Sequence, residues 1–216
     1  MAFKVFLLPP SPNNTKVMVA LAYKGIDHQS VVIDPSAADG RNAVIEATGQ
    51  SLTPAILHNG IKLYDSCSIL RYLDANFPGP RLYAPDRETH KAIEGWENYH
   101  RAVIGPILGR GFAAMFSDSK DAAEIASINA DAHAATEKLE QALEGRTWLV
   151  GDTMTAADIT VGCFLSIACF NEEEAAQSPV WAWMHKNLDL GEGRENCRAL
   201  VHRVLAFLPD FAAIAS

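Results

Sequence analysis

Apolar residues recur along this chain on two different periods, and the change of period divides it. Residues 3–8, FKVFLL, are an apolar run stopped by Pro9-Pro10, which predicts a buried strand leading into a loop. Ser11-Pro12-Asn13-Asn14 has the chemistry of a helix start, and Val17, Ala20 and Leu21 continue an apolar face to a C-cap at Gly25. Residues 29–33 read as a second strand, 34–40 as turn-like, and Val44-Ile45 as part of a short helix before Gly49. The runs 55–58 and 61–64 flank Asn59-Gly60, a hairpin pair suited to a turn in which both positions need positive φ. Asp65-Ser66 then supplies an N-cap ahead of Ile69, Leu70, Leu73 and Phe77, which share one helical face. The predicted order is β-α-β-α-β-β-α, with Pro54 opening the third strand.

Residues 78–86, PGPRLYAPD, hold three prolines in nine positions, which no helix crosses. Beyond them only helical spacing is found. Residues 88–116 form a long apolar-striped segment, broken softly at Gly105-Pro106. Residues 119–144 carry Ile125, Ile128, Leu139 and Leu143 on a stripe. Thr155-Ala156-Ala157-Asp158 is a capping box opening a buried helix over 159–170. Trp181, Trp183 and Met184 mark a short helix, and 196–207 the last.

Composition narrows the class. The chain has 216 residues, 49% hydrophobic and 20% charged, which is enough apolar material for one large or two small cores. A net charge of −8 argues against nucleic acid or an anionic membrane as partner. No apolar run reaches the ~18 residues of a membrane helix, and the N-terminal stretch reads as a strand rather than a leader. Cys67, Cys163, Cys169 and Cys197 show no C-x-x-C spacing and the seven histidines no H-x-x-x-H pair, so no metal is expected. Sparse cysteine fits a reducing, cytoplasmic setting.

Two places carry candidate chemistry. Asp65-Ser66 gathers a carboxylate, a hydroxyl and orphan helix N–H groups, which suit an ammonium and a carboxylate of one small ligand. Thr53-Pro54 sets a proline at the mouth of a strand, where a cis bond is affordable. Cys67 follows at the same helix start, where thiolates are favoured, or packs as a small core residue. Asp158, three residues after Thr155, reads as a cap rather than a catalytic acid.

These motifs, in this order, resemble the cytosolic glutathione transferase family over nearly the whole chain. Thr53-Pro54-Ala55 is similar to its segment around a cis-proline, Tyr64 to Ile69 to its acidic-Ser motif, Trp148 to Asp152 with Thr155 to Ile159 to its helical capping box, and Leu208-Pro209-Asp210-Phe211 to its usual ending. The resemblance implies an α/β thioredoxin-like N-terminal domain (1–78), a linker (79–87) and an all-α C-terminal domain (88–216). It implies glutathione as co-substrate, bound by Thr53, Pro54, Asp65, Ser66 and, for the glycyl carboxylate, Arg41. Leu52 stands where the family often has Gln or Lys. Ser11-Pro12-Asn13 occupies the catalytic position and looks like a serine-type or nu-like site, with Ser11 or Asn13 sharing the thiol.

A thiol of ordinary pKa is only a few per cent ionised at neutral pH; a helix N-terminus with roughly half a positive charge and one hydroxyl or amide donor would stabilise its anion. Ser11 as a mere helix cap is the plainer alternative. The electrophile is expected on the 88–116 helix, with Tyr99, Arg110, Phe112 and Met115 as candidates. The resemblance also implies a homodimer. Three activities fit: transfer of glutathione to an electrophile or peroxide, reduction of glutathione disulfides, or a non-catalytic assembly module like those of elongation factor gamma subunits.

Overall fold

The computed structural model describes residues 3–8, 11–34, 37–117 and 121–208. Pro9-Pro10, Pro35-Ser36, the start of the 119–144 segment and the Pro209-Asp210-Phe211 ending lie outside them. The chain divides into two compact units, Met1–Tyr83 and Ala84–Ser216.

In the first unit, strands β1 (Lys4–Leu7), β2 (Gln29–Val32), β3 (Ala55–His58) and β4 (Ile61–Leu63) form one sheet in the order β2-β1-β3-β4. β1 runs parallel to β2 and antiparallel to β3, with Val5 opposite both Ser30 and Ile56. Asn59 and Gly60 turn the β3–β4 hairpin at φ 51° and 83°, the left-handed pair that the sequence called for. Helices α1 (Pro12–Lys24), α2 (Asn42–Thr48) and α3 (Ser66–Asn76) complete the unit.

Strand alternation assigns the two faces. Phe6 and Ala55 pack with Ile33 and Val44. Val5, Leu7 and Ile56, also buried, are left for the opposite face, where α1 and α3 pack on each other. The three-proline segment is fastened down: Asp74 accepts from the N–H of Leu82 at 2.7 Å, and the buried Lys24 ammonium reaches both Asp74 and the Pro80 carbonyl. The residues expected as a linker therefore split, with 79–83 held by α1 and α3.

The second unit is helical. Its elements are α4 (Arg87–Tyr99), α5 (Gly105–Phe116), α6 (Ala122–Ala142), α7 (Ala156–Leu165), α8 (Glu172–Ala175), α9 (Pro179–Asn187) and α10 (Glu195–Leu205). The expected break at Gly105-Pro106 is not a break. The helix runs through it on a π turn, His100–Ile104, which ends where Pro106 could neither donate a backbone bond nor tolerate the carbonyl four residues back. α7 is buried on nearly every side and approaches α10 closely: a Cβ on Gly162 would sit 2.9 Å from the Val204 side chain. No helix among the described residues is long and apolar enough to cross a membrane.

Candidate functional site

The start of α1 is a serine N-cap whose side chain does not cap, as at Ser178 before α9. Ser11 stands at the N-cap with extended backbone (φ −143°, ψ 123°), yet its hydroxyl makes no capping bond. Its carbonyl does the helical work, accepting from the N–H groups of Asn14 and Thr15 at 3.0 Å and from the Thr15 hydroxyl at 3.2 Å. The hydroxyl is thus not spent on the helix, whose first N–H groups are concentrated beside it.

Asn14, expected as part of the helix start, fixes that position. Its amide accepts from the Leu8 N–H at 3.3 Å and donates to the Leu8 carbonyl at 3.1 Å, tying the end of β1 to the first turn of α1. The side chain is 3% exposed. Only the fold reveals this role, because an amide near a helix start looks alike whether it caps or clamps.

The start of α3 is built differently. Asp65 is the N-cap and its Oδ1 accepts from the Ser68 N–H at 2.7 Å. Ser66 turns inward and donates its hydroxyl to Asn13 Oδ1 at 3.0 Å. Two predicted site segments, 53 residues apart in sequence, are therefore hydrogen-bonded to each other. The bond takes the Asn13 oxygen as acceptor, so what this amide retains for a ligand is its NH2.

Between these helix starts lies the strand mouth. The Thr53–Pro54 bond is cis, and the Thr53 N–H and carbonyl make no hydrogen bond among the described residues. Leu52, at the position where a contact was missing, is 59% exposed and clipped by Gln50, whose amide pairs with both its N–H and its carbonyl. Arg41 lies on the surface and donates through Nη1 to the Ser51 carbonyl at 2.6 Å, bracing the loop that leads to Thr53.

The residues expected to meet an electrophile are mostly engaged elsewhere. Tyr99 donates its hydroxyl to the Ala135 carbonyl at 3.1 Å, under Lys138 Nζ, which lies 4.2 Å from its ring; burial pushes its pKa up. Arg110 is bonded to Glu124, Asp131 and Ser127, and these carboxylates, Glu124 first, hold its guanidinium above its ordinary pKa. Phe112 packs on the core around Leu108 and Met184. Three of the four thus hold α4 and α5 to the rest of the helical unit, for which long polar and aromatic side chains on one helix face are equally suited. Met115 is half-buried on α5. Asp158 caps as expected, accepting from the Leu149 and Thr155 N–H groups and the Thr155 hydroxyl at 2.7–2.8 Å. Among the described residues no cluster of His, Cys, Asp or Glu could hold a metal.

Comparisons with known proteins agree with this architecture. The profile of the glutathione S-transferase N-terminal domain matches residues 6–81, and that of its C-terminal domain residues 103–178. A Fusarium protein, glutathione S-transferase-like protein LUC7, is 29% identical over 133 residues, 59% of this chain; the matched stretch spans about half of that relative, 52%. A tobacco protein described as a probable glutathione S-transferase is 23% identical over 73% of this chain and 68% of its own. Among solved structures, a delta-class glutathione transferase of Nilaparvata lugens superposes with a TM-score of 0.74 at 18% identity, covering 98% of this chain and 92% of that one. A glutathione S-transferase of Methylobacterium radiotolerans, in complex with glutathione sulfonate, gives 0.69 at 23% identity over 100% and 95%. With both domain profiles matched in order and the fold shared end to end, the chain belongs to the glutathione S-transferase family.

Proposed function

We propose that this protein binds glutathione along the strand mouth and the start of α3 and activates its thiol at the start of α1. The observation that carries the reading is the bond from Ser66 to Asn13, which brings the ligand-holding and thiol-holding segments together while the Ser11 hydroxyl stays out of helix capping. Support comes also from the relatives named glutathione S-transferase and from the related structure that holds a glutathione analogue.

The roles follow from chemistry. Asp65 pairs with the γ-glutamyl ammonium, and the first N–H groups of α3 take the neighbouring carboxylate. The unpaired Thr53 main chain meets the cysteinyl amide in the manner of a neighbouring strand, with Pro54 fixing its direction. Arg41 keeps its remaining N–H groups for the glycyl carboxylate. The thiol then lies by Ser11, which donates a hydrogen bond to sulfur, with the Asn13 NH2 as second donor. The thiol proton leaves to water, and the thiolate attacks an electrophilic carbon, or a peroxide oxygen, as the leaving group departs with the bonding pair. The donors strengthen as charge localises on sulfur, so they lower the pKa without acting as bases. We read the protein as a cytoplasmic homodimer, as its family resemblance implies.

The test is retention on immobilised glutathione followed by conjugation of a halogenated arene and turnover of a glutathione mixed disulfide. Retention with conjugation is the expected result. Retention with fast disulfide turnover and no conjugation would make the protein a reductase, and neither retention nor turnover would leave an assembly module and overturn the proposal.

A further inference from the structure

One turn beyond Asn13, Lys16 is fully buried, and its Nζ lies 3.2 Å from the Sγ of Cys67, the residue after Ser66. That sulfur is the only hydrogen-bond partner of the Lys16 side chain among the described residues, and no carboxylate pairs with it. A lysine taken wholly out of water ordinarily meets a carboxylate. Here it meets a cysteine that is itself buried, with 8% of its surface exposed. A nitrogen nucleophile is therefore held against a single oxidisable sulfur, across the α1–α3 contact.

We propose that Lys16 and Cys67 form a peroxide-responsive modification site, in which oxidised sulfur is captured by the lysine as a covalent Nζ–Sγ link between α1 and α3. A peroxide first transfers one oxygen to Cys67: its O–O bond breaks, the thiol becomes a sulfenic acid, and the peroxide leaves reduced to its alcohol or to water. The Lys16 amine then attacks that sulfur. An N–S bond forms, the S–O bond breaks, and the hydroxyl leaves with a nitrogen proton as water; a lysine that starts as ammonium also gives one proton to solvent. The long lysine stem lets the two atoms close from 3.2 Å to bonding distance.

A small thiol reverses the link. It attacks the sulfur to give a mixed disulfide and the free amine, and a second thiol restores the cysteine. The capture stops the sulfur short of sulfinic acid, which thiols do not reduce. This inference needs only a peroxide and a thiol, and stands whether or not the chain is a transferase.

Titration of the full chain with hydrogen peroxide, followed by non-reducing tryptic mass spectrometry, tests it. The expected product joins the Lys16 and Cys67 peptides with the loss of two hydrogens, abolishes cleavage after Lys16, and disappears on adding glutathione. The Lys16→Met chain should lose that product and carry Cys67 on to sulfinic acid. Cleavage after Lys16 persisting while Cys67 is untouched, or is found only as sulfinic acid, overturns the proposal. The wild-type digest decides the matter even if the variant does not fold.

Discussion

Two of the helices that begin with a hydroxyl residue at the N-cap, α1 and α7, use it in opposite ways. At α7, Thr155 and Asp158 satisfy each other inside the core, and Asp158 is fully buried with its acceptors filled. At α1, Ser11 has the same kind of side chain and extended backbone, but its hydroxyl caps nothing and only its carbonyl serves the helix. A cap that is spent contributes stability; a cap that is withheld costs a little stability and leaves a donor beside a concentration of positive dipole.

The contrast is broken most severely at α7. Asp158→Ala should cost about 3 kcal/mol or more, since it strands buried N–H donors of Leu149 and Thr155. Chemical denaturation would show it, with the activity of each remaining folded molecule unchanged. At α1 the same kind of deletion should do the reverse. Ser11→Ala should leave the melting temperature nearly unmoved while lowering kcat/KM for conjugation roughly tenfold, about 1.4 kcal/mol. The loss should shrink at high pH, where thiolate forms unaided; a pH-independent loss would mean that Ser11 only positions the thiol.

Asp65 lies between these extremes, because it caps Ser68 and is proposed to bind glutathione. Asp65→Ala should cost about 1 kcal/mol of stability and raise the KM for glutathione with little change in kcat. The smallest effect is expected at α10, whose first N–H groups, of Asn196 and Cys197, are capped from a distance by Glu140. Burial pushes the Glu140 carboxyl up, but those N–H groups outweigh it and hold it below the ordinary 4.5. Its contribution is therefore complete above the unfolded pKa and is lost as pH falls through the lower folded value. Glu140→Gln should flatten the acid limb of a plot of Tm against pH, slightly and only there. Asp158, pushed up chiefly by burial, has the opposite slope.

What could be read from the sequence was what is specified locally. Asn59-Gly60, Gly25 and the Thr155–Asp158 box each settle their own few residues, and the apolar runs 3–8 and 55–58 give the buried strands. The pairing of Ser66 with Asn13 and of Cys67 with Lys16 spans more than fifty residues and left no local signature. Tyr99, Arg110 and Phe112 show the same limit. Their spacing marks a helix face, but only tertiary structure says that α6 and the helical core occupy it. Gly105-Pro106 misled for a related reason. A proline predicts the loss of one backbone bond, not whether the helix stops or widens to absorb it.

Asn14 offers Leu8 one acceptor and one donor, the same pair that an adjacent strand would offer. The helix start is in effect stitched to the sheet as a counterfeit strand, and one of the two stitches depends on a single NH2 group. Hydrolysis of that amide to an acid, with no change of size or shape, would face the Leu8 carbonyl with oxygen in place of a donor. Slow chemical ageing at one atom could thereby unhook the hydroxyl of Ser11 from its station while every hydrophobic contact of the unit remained in place.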